Sequence, residues 1–438
     1  MAGRGSAWSR RLSRRAVIRA AGAGVAASAL WTWSCGGKKA GETPQPGGTG
    51  TPSGKPVKLG YLTSLSGAAT PYTEPERTAV LLAVEEINNK GGILGGRVEL
   101  VVRDDKGVAD EGQRQARDLI ENQNVFLLFG VINSAVALAV SQYAREAQVP
   151  FVDTIAQSAA LTEEKGHKYV FRTATTHTGI ASRSVAKLAA EQKDWKRWYM
   201  IGPDYEYGHR LVEDFWSYLK KKRTDVQRIG EQWPKFGAGE FSAQINAILG
   251  AKPDAVYSSL WGGDQVAFVK QAKGFNYFQQ VHHSGWAQVD LDVAAAIGAD
   301  YPKGVLTGTN WAYYIVKNPQ TDAFITAYRG RTNGLPTSGA GLGYTAVYLI
   351  KAALEKAGAL DREKFITGME DLKYDSIYGA INIRKCDHQA YGPVFVGFSD
   401  QVPGEQFSGI PKPTVLTPSS FPDMALPCSE IDQLRKKA

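Results

Sequence analysis

Residues able to do chemistry gather in this chain where apolar runs give way to helical ones. Asn133-Ser134 follows the apolar run Phe126–Gly130 and opens a helical stretch at Ala135. A hydroxyl beside the exposed N–H groups of a helix start suits a carboxylate, while simple N-capping by Ser134 is the competing reading. Tyr205-Glu206-Tyr207-Gly208 similarly follows the extended run Arg197–Gly202 and precedes a helix. Trp261, Trp286 and Trp311 come after the extended segments Ala255–Leu260, Gln280–Ser284 and Gly304–Gly308. Three indoles in comparable places predict an aromatic-walled cleft, with core packing as the alternative.

The side chains that commonly carry catalysis are not arranged for it. No GxxxxGK[ST], HExxH, GxSxG or EF-hand pattern occurs. Gly339-Ala-Gly341-Leu-Gly343 has nearly the glycine spacing of a dinucleotide site. It lacks a preceding strand, so it reads as close packing at a helix entry. His282-His283 could ligate a metal, yet adjacent residues on a strand point to opposite faces. Asp104-Asp105 ends a strand and reads as a capping or solvated pair. The expectation is a chain that is not an enzyme, with no catalytic residue, no metal site and no cofactor.

Placing the strand-end residues requires the elements around them to alternate regularly. Lys58–Leu65 is a β-type run, and a helix is expected to begin near Glu74-Pro75, with Pro in the first turn. Val80, Val84 and Ile87 then recur at helical spacing until Gly91-Gly92. Strand and helix go on alternating to Thr154, and the rhythm restarts after Arg172. Two further helices are expected over Thr321–Arg331 and Gly343–Ala357. Helices between strands imply mainly parallel sheets covered on both faces. With 438 residues, the chain exceeds what one core usually holds. The fold class is therefore α/β, as two Rossmann-like lobes in tandem, with ligands expected beyond the carboxyl ends of the strands.

The net charge of +8 would suggest nucleic acid, but six arginines and no acid lie in the first 34 residues. Without these six, 45 basic residues face 43 acidic ones, so no nucleic-acid partner is implied. Residues 1–34 read as an export signal of the twin-arginine type, from Arg14-Arg15 and the Ala/Gly-rich run to Leu30. Cys35 after Ser34 suits cleavage and lipidation, with an incidental cysteine as the alternative. Residues 35–56, rich in Gly, Pro, Thr and Lys, would then form a lipid-anchored flexible tether. Cys386 and Cys428 remain as an even pair in an oxidising compartment, either disulfide-bonded or two buried thiols.

Residues from about 58 to 400 resemble the type I periplasmic binding proteins of the leucine/isoleucine/valine-binding family, the solute receptors of ATP-driven ABC importers. The resemblance rests on a colinear set: Ser66-Gly67-Ala-Ala-Thr-Pro-Tyr72, Ala83-Val-Glu-Glu-Ile-Asn-Asn-Lys-Gly-Gly-Ile-Leu-Gly95 and Leu100-Val-Val-Arg-Asp-Asp105. Val149-Pro150-Phe151, Tyr169-Val-Phe-Arg-Thr173, Tyr207-Gly208 and Pro253-Asp254-Ala-Val256 continue it. It implies two lobes joined by three hinge crossovers, near 173–178, 306–311 and 378–386. Lobe 1 would be 56–175 plus 309–380, and lobe 2 would be 176–308 plus 381–438. It also implies a monomer, permease subunits as partners, and an extracytoplasmic location, either periplasmic or membrane-anchored through Cys35.

Carried across residue by residue, the resemblance puts the family's first aromatic wall on Tyr72 and its carboxylate-holding hydroxyl on Ser134, beside Asn133. The next loop falls on Ile155, Ala156 and Gln157, and the second lobe contributes Tyr207 and Trp261. Where amino-acid binders place acids for the α-ammonium, His177 and Gly285-Trp286 stand here, and Asn133 occupies a family cysteine position. An unpaired buried ammonium is unfavourable. The expected solute is thus a small carboxylate or amide with an apolar or aromatic body. A plain branched-chain amino-acid binder and a ligand sensor signalling to a partner are the alternatives.

Overall fold

A computed structural model describes residues 52–67 and 69–438 of the chain. The expected export signal, Cys35 and the expected tether up to residue 51 lie outside the described residues. Among those described, no helix is long and apolar enough to cross a membrane.

The chain passes between two sheets in stages. The first stage is β1 (Gly54–Thr63), α1 (Thr70–Asn89), β2 (Gly96–Asp104), α2 (Ala109–Glu121), β3 (Leu127–Gly130), α3 (Ser134–Ala147), β4 (Phe151–Asp153) and β5 (Val170–Arg172). The second begins with α4 (Thr178–Ala189), β6 (Arg197–Ile201), α5 (Glu206–Lys222), β7 (Gln227–Gln232), α6 (Ser242–Ala251) and β8 (Ala255–Ser258). It continues through α7 (Gly262–Gly274), α8 (Tyr277–Gln280), β9 (His282–Trp286), α9 (Leu291–Ile297) and β10 (Leu306–Thr309). The third returns with α10 (Pro319–Thr332), α11 (Ser338–Ala357), α12 (Arg362–Met369), β11 (Lys373–Ser376), β12 (Gly379–Arg384) and β13 (Gln389–Tyr391). The last holds β14 (Val394–Phe398), a small ribbon of β15 (Asp400–Gln401) and β16 (Ser408–Gly409), β17 (Thr414–Leu416) and α13 (Cys428–Lys437).

One sheet runs β11-β12-β13-β5-β4-β3-β1-β2 and the other β17-β14-β10-β9-β8-β6-β7, each with a parallel centre and antiparallel strands at one side. Central strands are apolar on both faces, as β3 and β8 show by being wholly buried. In lobe 1, α1 lies against α11 because glycines open the contact. A Cβ at Gly339 would sit 2.6 Å from the Tyr72 ring, and one at Gly343 would sit 2.7 Å from Glu76 Cγ. The Gly339–Gly343 spacing therefore serves helix packing.

The structure corrects three expectations. Helix α1 starts at Thr70, not at Glu74-Pro75: Pro71 occupies the first turn, and Pro75 lies inside the helix. The third crossing falls at Gly392-Pro393 rather than 378–386. The hairpin of β12 and β13 stays with the first sheet, burying Ile381, Ile383 and Ala390 in the lobe-1 core. Residues 381–391 thus belong to lobe 1. The C-terminal tail also divides. Phe421 and Met424 pack into the lobe-2 core, whereas α13 docks on lobe 1, where Arg435 donates to the carbonyls of Thr162, Glu163 and Cys386. A Cys386–Cys428 disulfide, spanning 42 residues with Cα atoms 5.9 Å apart, fixes this return. The tail is a fourth link between the lobes.

Glu76 is fully buried on α1. Thr154 Oγ1 donates to it at 2.7 Å and Thr63 Oγ1 stands at 3.5 Å. Burial pushes its pKa up to about 8, although the hydrogen bond from Thr154 opposes the shift. The folded protein therefore keeps a proton that the unfolded chain releases above its ordinary 4.5, and this group removes stability as pH rises from there to about 8. Glu76→Gln keeps the shape without the charge. Its melting temperature relative to wild type should rise between pH 5 and pH 8, by an amount on the order of a few kcal/mol of stability at the upper end. A constant difference across that range would contradict the assignment.

For the tail, peptide mapping without reduction should recover Cys386 and Cys428 in one linked species. The double substitution Cys386→Ser, Cys428→Ser should lower stability in denaturant by roughly 2–4 kcal/mol. Two alkylatable thiols in native protein, or an unchanged midpoint, would show that the strap contributes nothing.

Candidate functional site

A small cavity, open to solvent at its mouth, lies between the two lobes. Lobe 1 contributes Tyr72 from α1, Ile132 after β3, and Ile155 and Gln157 after β4. Lobe 2 contributes Tyr205 and Tyr207 at the start of α5, Trp261 after β8, and Trp286 and Ala287 at the end of β9. Apart from Tyr72, these residues sit at or just beyond the carboxyl ends of parallel strands, where loops and helix starts converge.

The aromatic walls brace one another. Trp261 donates its Nε1–H to the Tyr205 hydroxyl at 3.0 Å, stacks on Phe236 at 4.8 Å, and meets the ring edges of Tyr72 and Tyr207 at 6.4 Å. The Tyr72 contact crosses from one lobe to the other. Trp286 is held by the bare backbone of β10, for a Cβ at Gly308 would come within 2.4 Å of its ring. Burial raises the pKa of Tyr72, Tyr205 and Tyr207, so all three stay neutral phenols able to donate or accept.

Among the described residues, no lysine or arginine lines the cavity. Favourable potential for an anion comes instead from helix starts. Tyr205 and Trp261 are the N-cap residues of α5 and α7, and neither helix receives a side-chain cap. Their first N–H groups are thus free to meet a negative group. The Gln157 Oε1 is buried without a partner, which leaves this amide available for a bound molecule.

Other predicted site residues support the cavity without lining it. Asn133, not Ser134, caps α3, accepting from the N–H groups of Ala135 at 2.9 Å and Val136 at 3.3 Å. The Ser134 hydroxyl accepts from the Ser158 N–H at 3.1 Å and holds the following loop in place. Ala156 gives its N–H to Asp153 and its carbonyl to Arg172. His177 is the N-cap of α4, accepting from Gly179 N–H through Nδ1. Burial and then the surrounding arginines push its pKa well down, so it is a neutral cap rather than a charge facing the solute. Trp311 leaves the cleft altogether and packs in lobe 1 beside Phe324 and Tyr378.

His283 is bound between the Tyr277 hydroxyl and Gln288 at 3.1 Å each, while His282 stacks on Trp195, so the two do not share an ion. Asp104 and Asp105 accept from turn N–H groups at Leu65, Lys106 and Gly107.

Sequence reasoning missed Asp290. It stands four residues beyond Trp286, in the turn entering α9, and is 6% exposed. After burial itself, its charge is the main influence raising Tyr72 across the lobe boundary, and it also raises Tyr207. No acid stands within a residue or two of the family's positions at His177 and Gly285-Trp286, but Asp290 is a buried acid four residues on. Its distance along the chain from the family's acid position hid it.

The lobes are closed on each other around this cavity. Arg210 of α5 pairs with Glu164 at 2.7 Å and Glu163 at 3.1 Å in lobe 1, and Ser158 donates to Glu206 at 2.7 Å.

The profile described as Periplasmic binding protein matches residues 56–400. A curated relative from Brucella suis biovar 1 (strain 1330), named Leu/Ile/Val-binding protein homolog 7, is 27% identical over 322 residues, or 71% of this chain and 79% of the relative. A solved solute-binding protein of an ABC transporter from Rhodopseudomonas palustris BisB5, in complex with 3,4-dihydroxybenzoic acid, superposes with a TM-score of 0.75. It is 22% identical and covers 82% of this chain and 97% of its own. A leucine-binding protein from Thermotoga maritima MSB8 gives 0.70 at 23% identity, covering 83% and 99%. Matched by the profile over most of its length, the chain belongs to the periplasmic binding protein family, whose members are extracytoplasmic binding proteins.

Proposed function

We propose that this chain is the solute receptor of an ABC importer and that its solute is a small aromatic carboxylate, enclosed by closure of the two lobes. The observation that carries this reading is the cavity wall, which among the described residues has five aromatic residues, no cation, and two helix starts without side-chain caps. Tyr72, Tyr207, Trp261 and Trp286 all line the cavity, and desolvated aromatic contacts are each worth about 1 kcal/mol beyond area burial. Uncapped N–H groups suit a carboxylate, which backbone dipoles can hold without a counter-ion. The Rhodopseudomonas protein with 3,4-dihydroxybenzoic acid has the same architecture, which adds support.

Within this reading Tyr72, Gln157, Tyr205, Tyr207, Trp261 and Trp286 contact the solute. Asn133, Ser134, Ala156 and His177 hold the loops that present those residues. Permease subunits are the partners, and Cys35 carries a lipid anchor ahead of the tether. A branched-chain amino acid is the second reading, favoured by Asp290 as a counter-charge for an ammonium.

Calorimetry should separate the two readings by comparing benzoate and hydroxybenzoates with leucine, isoleucine, valine and phenylalanine. Aromatic acids should bind saturably, and Trp261→Ala should weaken them at least tenfold, about 1.4 kcal/mol. Sub-micromolar leucine binding, indifferent to Trp261→Ala, would return the protein to amino-acid transport. Small-angle scattering should show a smaller radius of gyration on saturation with the best ligand. An unchanged radius would count against closure.

A further inference from the structure

Within a few residues the C-terminal tail is anchored first to lobe 2 and then to lobe 1. On the lobe-2 side, Phe421 and Met424 are buried in the core. Asp423 between them accepts from Lys222 Nζ at 2.8 Å and from the Tyr218 hydroxyl at 3.3 Å, both on α5. On the lobe-1 side, the Leu426 carbonyl accepts from Arg384 at 3.0 Å, and Cys428 is bonded to Cys386. Only Ala425, Leu426 and Pro427 separate Met424 from the disulfide. Such a link has a fixed reach. Fully extended, the chain from Met424 to Cys428 covers about 14 Å. With Cα atoms 5.9 Å apart across the disulfide, Met424 in the lobe-2 core can stand no farther than about 20 Å from Cys386 of lobe 1.

The strap joins the same two elements that meet where the lobes close. Helix α5 carries Arg210, which pairs across the cleft with Glu163 and Glu164. Further along the same helix, Tyr218 and Lys222 hold Asp423 of the tail. On the other side, the loop that carries the two glutamates gives its Thr162 and Glu163 carbonyls to Arg435 of α13. A rotation that draws α5 away from this loop therefore also draws the two ends of the strap apart. Ion pairs and hydrogen bonds between the lobes can exchange to water as the lobes part. The covalent link cannot lengthen, and Pro427, with its fixed φ, removes further slack from it.

We propose that the disulfide-pinned strap bounds the opening of the cleft. The solute-free lobes separate only as far as this link reaches, so Arg210 stays near Glu163 and Glu164 and reclosing is a short movement. The disulfide thus sets the range of the hinge in addition to stabilising the fold. This inference rests on the hinge closure proposed above and is independent of which solute is bound.

The test is small-angle scattering on the full chain, dialysed free of solute, in wild type and two variants. One variant carries four Gly-Ser repeats between Ala425 and Leu426. This adds about 15 Å of average reach and leaves the disulfide, the Leu426 contact and α13 in place. The control carries the same repeats between Lys193 and Asp194, in an exposed turn within lobe 2. Recovery of Cys386 and Cys428 in one linked peptide shows that each variant is folded and strapped. The strap insertion should give a larger radius of gyration than the control, and the control should match wild type apart from its added mass. Saturation with 4-hydroxybenzoate or leucine, whichever contracts wild type, should bring the two variants to the same radius. Equal radii for the two solute-free variants, with wild type still contracting on solute, overturn the strap and leave hinge closure standing. Equal radii with no contraction of wild type by either compound overturn both.

Discussion

The guanidinium of Arg172, wholly buried at the end of β5, is the interaction on which the rest of the cleft depends. Its Nε donates to Asp153 at 3.0 Å and to the Ala156 carbonyl at 2.9 Å. Its Nη atoms reach Thr162, Gln389 and the Ser158 carbonyl at 2.7–3.0 Å. A charge removed from water survives only when its donors are paired this fully. The return is positional. The loop 155–162, which presents Ile155 and Gln157 to the cavity, is held from within by this side chain and from its flanks by Ser134 and Thr178. Remove the guanidinium, and the buried carbonyl of Ala156 loses its donor, that of Ser158 keeps only the Leu161 N–H, and Asp153 loses its counter-charge.

The same residue sits at the entrance to the hinge, and the crossings are tied to one another. Gln389, oriented by Arg172, donates to the Ala174 carbonyl at 2.6 Å, joining the strand before the third crossing to the first. Thr176 donates to Asn310 at 2.5 Å, joining the first to the second. A rotation at one crossing is therefore imposed on the others, which suits hinge motion of two rigid lobes. The tail adds a further restraint. Arg435 bonds the carbonyls of Thr162 and Glu163, so the strap from lobe 2 ends on the loop that Arg172 holds from within. Glu163 in turn faces Arg210 of lobe 2. Loop, hinge and strap share one set of neighbours.

Where a sequence pattern reports a local physical requirement, it predicted the structure well. Apolar runs at strand length and glycine stops gave the alternation of elements, and aromatic residues just past strand ends gave Tyr207, Trp261 and Trp286 as cavity walls, while Tyr72 came from the family resemblance. Failures came where distant contacts decide. Trp311 occupies the same strand-end position as Trp261 but meets Phe324 and Tyr378, which lie far along the chain. Asn133 and Ser134 are equally good caps by type, and only the position of Ser158 assigns the hydroxyl elsewhere. The β12–β13 hairpin was misplaced because its partner strand β5 is more than two hundred residues earlier.

The electrostatics of the cleft rest on groups that a local reading of the sequence passes over. A cavity without lysine or arginine can still be strongly polarised, since uncapped helix starts supply positive potential that needs no desolvated ion. Such potential is weak per group but fixed in direction by α5 and α7, both more than three turns long. The buried, unpartnered Oε1 of Gln157 adds an acceptor in the wall of the same small space. A solute carrying both an acceptor and a donor then has one favoured orientation. A solute carrying only one of them leaves buried polar groups unpaired, and that penalty discriminates more sharply than apolar fit alone can. The aromatic walls supply the affinity common to many rings, while the few unpartnered polar atoms decide among them.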